Sequence, residues 1–365
     1  VPARAAGGVH LDAAPVGDPC TRVAFVTGDP AGSSARVRAL DHLAGLAALG
    51  VQGELLALPR GWLARRRFFA GLARHDVVVL ARRLLGEGDL VALRRAARAL
   101  VLDLDDAVWT RPFRSGGDRR LRGRFADALR ASDVVIVGSA ALRDELRGRH
   151  PRVRVLPPTC PPPASPCERA AGDQDRVRLL WLGSRATLPY LESIGPVLRA
   201  LAREAAPFTL EVVADARPSL PSEVSVTFTP WSLEAEAVAL ARADVGLYPL
   251  AGDAWSRGKC AYKVRRYMAF GLPTIGSRHG AGLEALDPPE AGLLADDEGE
   301  WLRALRTLLA DPALRRRLGA RARGLALTRD GHADRTRTLA RILGEAAAVG
   351  RARAGNSGLL SPSSP

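Results

Sequence analysis

The stretch SRGKCAYKVRRYMAFGLP, residues 256–273, decides how the chain is read. It holds the only two lysines of the sequence, Lys259 and Lys263, and its only methionine, Met268. Elsewhere arginine carries the positive charge, so a bias toward arginine has spared two positions four residues apart. An ammonium is a compact point charge on a flexible stem, whereas a guanidinium is a wide planar fork. The spared pair therefore marks a place where the fork does not fit. Gly258 loosens a loop ahead of a helix expected over about 261–270, which Gly271 stops before Pro273. A loop entering a helix this way presents free backbone N–H groups and the positive end of the helix dipole, roughly half an elementary charge. With two lysines added, the result is a seat for phosphate or diphosphate. The plainer alternative is a solvated basic helix start.

Outward from this stretch the chain alternates strands and helices. On its C-terminal side, PTIGS (273–277) reads as a strand, RHGAG (278–282) as a glycine-rich loop, and the rest as helices ending near Ala348. On its N-terminal side, VRLLWLG (177–183), LEVVAD (210–215), VSVTFTPW (224–231) and VGLYPL (245–250) read as strands. In the first half, strands are expected at 22–28, 54–58, 75–81, 101–106, 132–139 and 153–158. A helix with apolar residues at helical spacing runs toward Gly50. This alternation predicts parallel sheets with helices on both faces. Ligands then sit at the carboxyl ends of the strands, which in the first half means the loops at 28–34, 105–112 and 138–140. The expected plan is α/β, two doubly wound domains facing across a cleft. A loose lead-in (1–19) precedes an N-terminal domain (20–158). A proline-rich linker (159–174) leads to a C-terminal domain (175–330), a last helix (331–349) and a disordered tail (350–365).

Bulk properties narrow the function. A chain of 365 residues with 47% hydrophobic content suits about two globular domains. No apolar run approaches the ~20 residues that span a bilayer, and the first residues lack the apolar core of a signal peptide. A cytoplasmic protein is expected. Net charge +14 favours anionic partners: nucleic acid, acidic lipid or phosphorylated substrates. The arginines are spread over many helices, only 5% of residues are aromatic, and no nucleic-acid motif is present, so no specific nucleic-acid partner is expected. Cys20, Cys160, Cys167 and Cys260 lack the paired spacing of a zinc site or disulfide framework. The two lysines beside Cys260 would lower its pKa; the alternative is a small residue filling a tight loop. The basic stretch 60–73 carries Trp62, Phe68 and Phe69 beside Arg60, Arg65, Arg66 and Arg67. It reads either as an interfacial helix on anionic lipid at the inner membrane face or as a helix with aromatics toward the core.

At this point GKCAYKVRRYMAFGLPTIGSRHGAGLEAL, the preceding ADVGLYPL and the later EWLRALRTLLADPALRRRLGARAR resemble the donor domain of glycosyltransferase family 4, a GT-B family. WLGSRATLPYLESIGPVLRAL (181–201) resembles its opening strand, glycine loop and helix. VLDLDDAVW and ASDVVIVGSAALRDELR resemble the acceptor domain of the same enzymes. The resemblance implies metal-independent transfer of a sugar from a nucleotide diphosphate, usually with retention of configuration, and no cofactor besides that co-substrate. The acceptor class stays open between carbohydrate, lipid-linked and natural-product hydroxyls. The resemblance further implies that the last helix braces the first domain. Gly183, Ser184 and Arg185 match the loop facing the donor diphosphate. The Pro230–Trp231–Ser232 turn matches the segment beside the base, where Trp231 either stacks or packs in the core. Glu284 matches a glutamate near the sugar. The family often has two glutamates with seven residues between them. Here these positions are Gly258 and Arg266, which places the chain in the branch with a Gly-Lys-Cys motif. Donor binding is thus expected from these residues with Lys259 and Lys263, the latter also catalytic. Asp105 and Asp106 match the position of a catalytic His or Asp near the anomeric carbon, and the 33–38 loop (Ser33, Ser34, Arg36, Arg38) is expected to meet the acceptor.

Three other readings share some of these features. Asp103-Leu104-Asp105 is an Asp-x-Asp triplet, which GT-A enzymes use to hold a divalent ion. A sugar-nucleotide epimerase has the same two-domain plan. A basic scaffold or nucleic-acid-binding protein would bind with a steep salt dependence.

Overall fold

The computed structural model describes residues 21–110, 118–161, 163, 176–286, 290–329 and 331–358. The expected lead-in, Cys20, Cys167, most of the proline-rich linker and the tail from residue 359 lie outside the described residues.

Two six-stranded sheets, parallel throughout, organise the chain. The first contains β1 (Thr21–Thr27), β2 (Val51–Ala57), β3 (Val77–Ala81), β4 (Ala99–Leu104), β5 (Val134–Val137) and β6 (Val153–Val155), in the order β2-β1-β3-β4-β5-β6. The second contains β7 (Val177–Leu182), β8 (Phe208–Ala214), β9 (Val226–Pro230), β10 (Val245–Tyr248), β11 (Thr274–Gly276) and β12 (Gly292–Leu294), in the order β12-β11-β10-β7-β8-β9. Central strands such as Val77–Ala81 and Ala99–Leu104 are buried along their whole length. This is why they read as unbroken apolar runs rather than alternating ones.

Strand order fixes where a ligand can sit. In the first sheet the winding reverses between β1 and β3, and in the second between β7 and β10. At such a switch point the two loops leave in opposite directions and open a crevice beyond the carboxyl ends. The loops at 28–34 and 82–86 therefore face those at 183–187 and 249–261.

Several expected elements have other bounds. The helix after β1 is broken into Ser33–Arg38, a short 3-10 turn at Leu40–His42, and Leu43–Ala48. β4 stops at Leu104, so Asp105 and Asp106 belong to the loop beyond it. The last two residues of the expected glycine-rich loop open a helix, Ala281–Leu286, and the three-residue strand β12 was not expected. The last helix runs from His332 to Gly358, past the 349 boundary and into the stretch read as tail.

That last helix completes the first domain. Leu339, Ile342, Leu343 and Ala346 are buried among Val23, Phe25, Val77, Val101 and Ile136 on one face of the first sheet. Arg154 pairs with Glu345 along the same seam. At the helix start, His332 stacks on His42 with ring centroids 4.7 Å apart and accepts or donates at Thr159 Oγ1, 2.8 Å away. His42 in turn meets Thr336 Oγ1 at 2.7 Å. Among the described residues no helix is long and apolar enough to cross a membrane.

Candidate functional site

Two adjoining hollows fill the crevice. The inner one, about 150 Å³, lies between Ser34, Arg82, Asp105 and Asp106 of the first domain and Trp181, Tyr248 and Lys259–Lys263 of the second. The outer one, about 270 Å³, lies between Gly183, Ser184, Asp215, Trp231, Glu236 and Arg266. Ser33, Tyr262 and Lys263 line both.

The lysine stretch is shaped by close packing. A short helix, Ala254–Arg257, capped by Asp253, precedes it. Gly258 has φ −84°, so its backbone does not require glycine. A Cβ there would stand 2.3 Å from that of Ala107 in the facing domain. Gly258 thus lets the second domain approach the first, and does not loosen the loop. Ala261 then takes φ +55°, rare for a residue with a side chain, and turns the chain into the helix Tyr262–Ala269. This turn aims the start of the helix, with its free N–H groups, at the crevice.

The two lysines part company. Lys259 Nζ reaches across the crevice to Asp106 Oδ2 at 3.0 Å and lies over the Trp255 ring, 3.4 Å from its centroid. Lys263 Nζ donates to Thr187 Oγ1 at 3.3 Å and stands 4.9 Å from the Trp181 ring centroid. It has no carboxylate partner among the described residues. Burial, with the like charge of Lys259, lowers its pKa to about 7. Both line the inner hollow, but their partners differ. Lys259 ties the two domains together, whereas Lys263 meets a hydroxyl of its own domain.

The 183–187 loop forms the opposite wall. Gly183 is required because the Trp181 indole lies across it, where a Cβ would fall 1.7 Å from a ring carbon. Ser184 and Thr187 form a reciprocal cap, with Ser184 N–H donating to Thr187 Oγ1 at 3.0 Å. Arg185 departs from its expected place. Its backbone N–H donates to Asp215 at 2.5 Å, but its side chain is exposed and lines neither hollow.

In the outer hollow, Trp231 is 39% exposed, which settles against a core role. Its Nε1–H donates to Glu236 Oε2 at 2.8 Å, leaving the indole at the rim. Glu236 is buried and also accepts from Arg266 Nε at 2.7 Å. Glu236 and Asp215 were missed in the sequence because neither belongs to a motif. Glu284, expected near the sugar, is exposed on its helix and lines neither hollow.

On the first-domain wall, Asp105 Oδ2 accepts from Ser34 Oγ at 2.6 Å and from Arg82 Nη1 at 3.2 Å. Arg82 also stands 3.7 Å from Asp106. Burial pushes the Asp105 carboxyl above the usual range, with the Asp106 charge adding to the effect against Arg82. Burial would raise Asp106 too, but Lys259 and Arg82 outweigh it and hold it below that range. The two neighbours are thus driven apart, the pattern that assigns different proton roles to paired acids.

Two expected acceptor contacts are already occupied. Arg38 is buried and bonded to both carboxylate oxygens of Asp103 and to the Leu156 carbonyl. This bond also ties up one carboxylate of the Asp-x-Asp triplet. Arg36 donates to Tyr262 OH across the crevice at 2.8 Å. Cys260 is buried against Gly138, and burial with the Asp106 and Asp105 charges raises its pKa, so the lysines do not activate it.

Comparison with known proteins agrees with this geometry. Residues 177–311 match the family described as Glycosyl transferases group 1. No curated protein sequence matches the chain. Among solved structures, a sucrose-phosphate synthase from Thermosynechococcus elongatus is similar at TM-score 0.67 and 18% identity, over 89% of this chain and 98% of that one. HepE of Anabaena, solved with UDP-glucose, is similar at TM-score 0.65 and 16% identity, over 89% of this chain and 99% of that one. WaaG, a glycosyltransferase involved in lipopolysaccharide biosynthesis, gives TM-score 0.65 and 17% identity, over 88% and 99%. At these identities the likeness is one of fold: two facing doubly wound domains, the GT-B arrangement.

Proposed function

We propose that this GT-B glycosyltransferase moves a sugar from a nucleotide-diphosphate donor to an acceptor hydroxyl, with the diphosphate held at Lys263. One observation carries the reading. Lys263 is a desolvated ammonium without a carboxylate partner among the described residues, set between a glycine loop and a helix start at the switch point. Oriented donors of this kind stabilise charge that develops as a bond breaks.

The nucleotide lies in the outer hollow with its base near Trp231. The sugar enters the inner hollow, and the acceptor hydroxyl approaches from the Ser33, Asp105 and Asp106 side. The sugar–phosphate bond breaks with its electron pair passing to the diphosphate beside Lys263. The acceptor oxygen bonds to the anomeric carbon, and its proton passes to the Asp105 carboxylate. Transfer is metal-independent in this scheme, because an ammonium and backbone N–H groups supply the charge. It proceeds with retention and without a further cofactor. A transfer assay with and without EDTA, with the product anomer assigned by NMR, tests these points. Strict manganese dependence would overturn the first and an inverted product the second. Conversion of a nucleotide sugar with no acceptor present would favour an epimerase instead.

The acceptor meets the enzyme at an anionic membrane surface. This is supported by the helix Trp62–Gly71, where Phe69 is buried but Trp62 and Leu63 are 63% and 62% exposed. Arg66 lies over the Trp62 ring, 5.4 Å from its centroid, and Arg60 and Arg67 are exposed beside it. Flotation with vesicles containing anionic lipid should retain the protein and release Trp62→Ala. Equal flotation of both would contradict this.

A further inference from the structure

Arg82 stands at the carboxyl end of β3, at the switch point of the first sheet, and the transfer scheme gives it no task. Its φ is +55°, the left-handed region that long side chains rarely adopt. Strain of this kind survives where the surroundings over-determine it, and it gathers at working sites. The Arg82 N–H donates to the Asp103 carbonyl at 2.9 Å, and the turn carries the guanidinium onto the two carboxylates beyond β4. Nε stands 3.0 Å from Asp105 Oδ1, out of line for a hydrogen bond, while Nη1 donates to Oδ2. The Arg82 side chain is 39% exposed against 9% for that of Asp105, so it is the solvent-facing member of the pair.

Adjacent buried carboxylates repel each other and lose hydration, so each needs its own compensation. Asp106 has Lys259 at 3.0 Å, with Arg82 farther off at 3.7 Å. Arg38, the other nearby guanidinium, is committed to Asp103 and Leu156. Asp105 is left with the Ser34 hydroxyl and Arg82. The charged and titratable groups facing it are Arg38 beside Ser34, Arg82 from β3, Asp106 from its own loop, and Lys259 and Cys260 from the second domain.

We infer that Arg82 is a positioning residue: it holds Asp105 as a carboxylate aimed into the crevice, where Asp105 orients the acceptor hydroxyl, while Asp106 is held chiefly by Lys259. The hydroxyl rests on the sugar-transfer reading, but the charge arrangement does not.

The test needs no substrate. Protein labelled with ¹³C in the aspartate carboxyl is titrated by NMR, and the Asp105 signal is assigned by its loss in Asp105→Asn. Arg82→Gly removes the guanidinium while glycine adopts positive φ freely. It should therefore melt no lower than Arg82→Ala. In both variants the Asp105 midpoint should rise by at least about one pH unit, with Arg82→Lys between them and the native protein. An unchanged Asp105 midpoint in folded Arg82→Gly would overturn the inference, as would movement of the Asp106 signal alone. If the protein bound no nucleotide sugar, the transfer reading would fail while this titration still decided the role of Arg82.

Discussion

Lys263 shows how one residue can be read from composition and then corrected by its surroundings. Its rarity in an arginine-rich chain flagged it, yet rarity did not tell it apart from Lys259, which the fold ties to Asp106. Removing Lys263 should harm function and spare stability. Loss of one oriented donor of this kind costs about 10²–10³ in turnover. Lys263→Ala should lose about that much in a transfer assay while its melting temperature does not fall. The sign follows from linkage. Folding lowers the pKa from 10.5 to about 7, so the unfolded chain binds more protons between those values and stability rises with pH across that window. Lys263→Met should therefore be stabilising, fully so below pH 7, with the gain vanishing near pH 10.5 in thermal melts. Affinity for the nucleoside diphosphate that binds should fall as pH rises above 7 in the native protein and stay flat in Lys263→Met. A flat profile in both would remove Lys263 from the diphosphate site.

Elements explain what the sequence revealed and what it hid. Apolar strands such as Val77–Ala81 were legible, and so was the return of the strand–helix alternation after the prolines. The three-residue strand Gly292–Leu294 was not, because no period can be read from three positions. The Arg82 turn was also invisible, since positive φ in an arginine leaves no trace in the residue type. The 33–38 segment borders the crevice, which is what suggests an acceptor contact for Arg38. Nothing local indicated that Asp103, 65 positions away, would claim it. Gly258 does not serve to loosen its loop. Its partner is Ala107 across the crevice, and this makes a clean test of element packing. Gly258→Ala should weaken donor binding and transfer by holding the domains apart, and Ala107→Gly should restore both in the double variant. Failure of the second change to rescue the first would mean that this approach is not what Gly258 provides.

At the scale of the molecule, the two sheets meet with their switch points opposed, and the last helix returns to close the first core. Leu343 is fully buried in that seam. Leu343→Ala should lower stability by about 2–5 kcal/mol in denaturant unfolding, whereas a change near wild type would show that the helix only rests on the sheet. The crevice is useful only if both walls stay in register, so this brace belongs to function as much as to stability. The assignment stands or falls on what the crevice holds. Calorimetric titration of UDP, GDP and dTDP into the native protein and Lys263→Ala tests it most directly. At least one diphosphate should bind the native protein, and Lys263→Ala should bind it at least about tenfold more weakly, a difference of about 1.4 kcal/mol. Binding of none of them, or equal binding to both proteins, would contradict a diphosphate seated at Lys263.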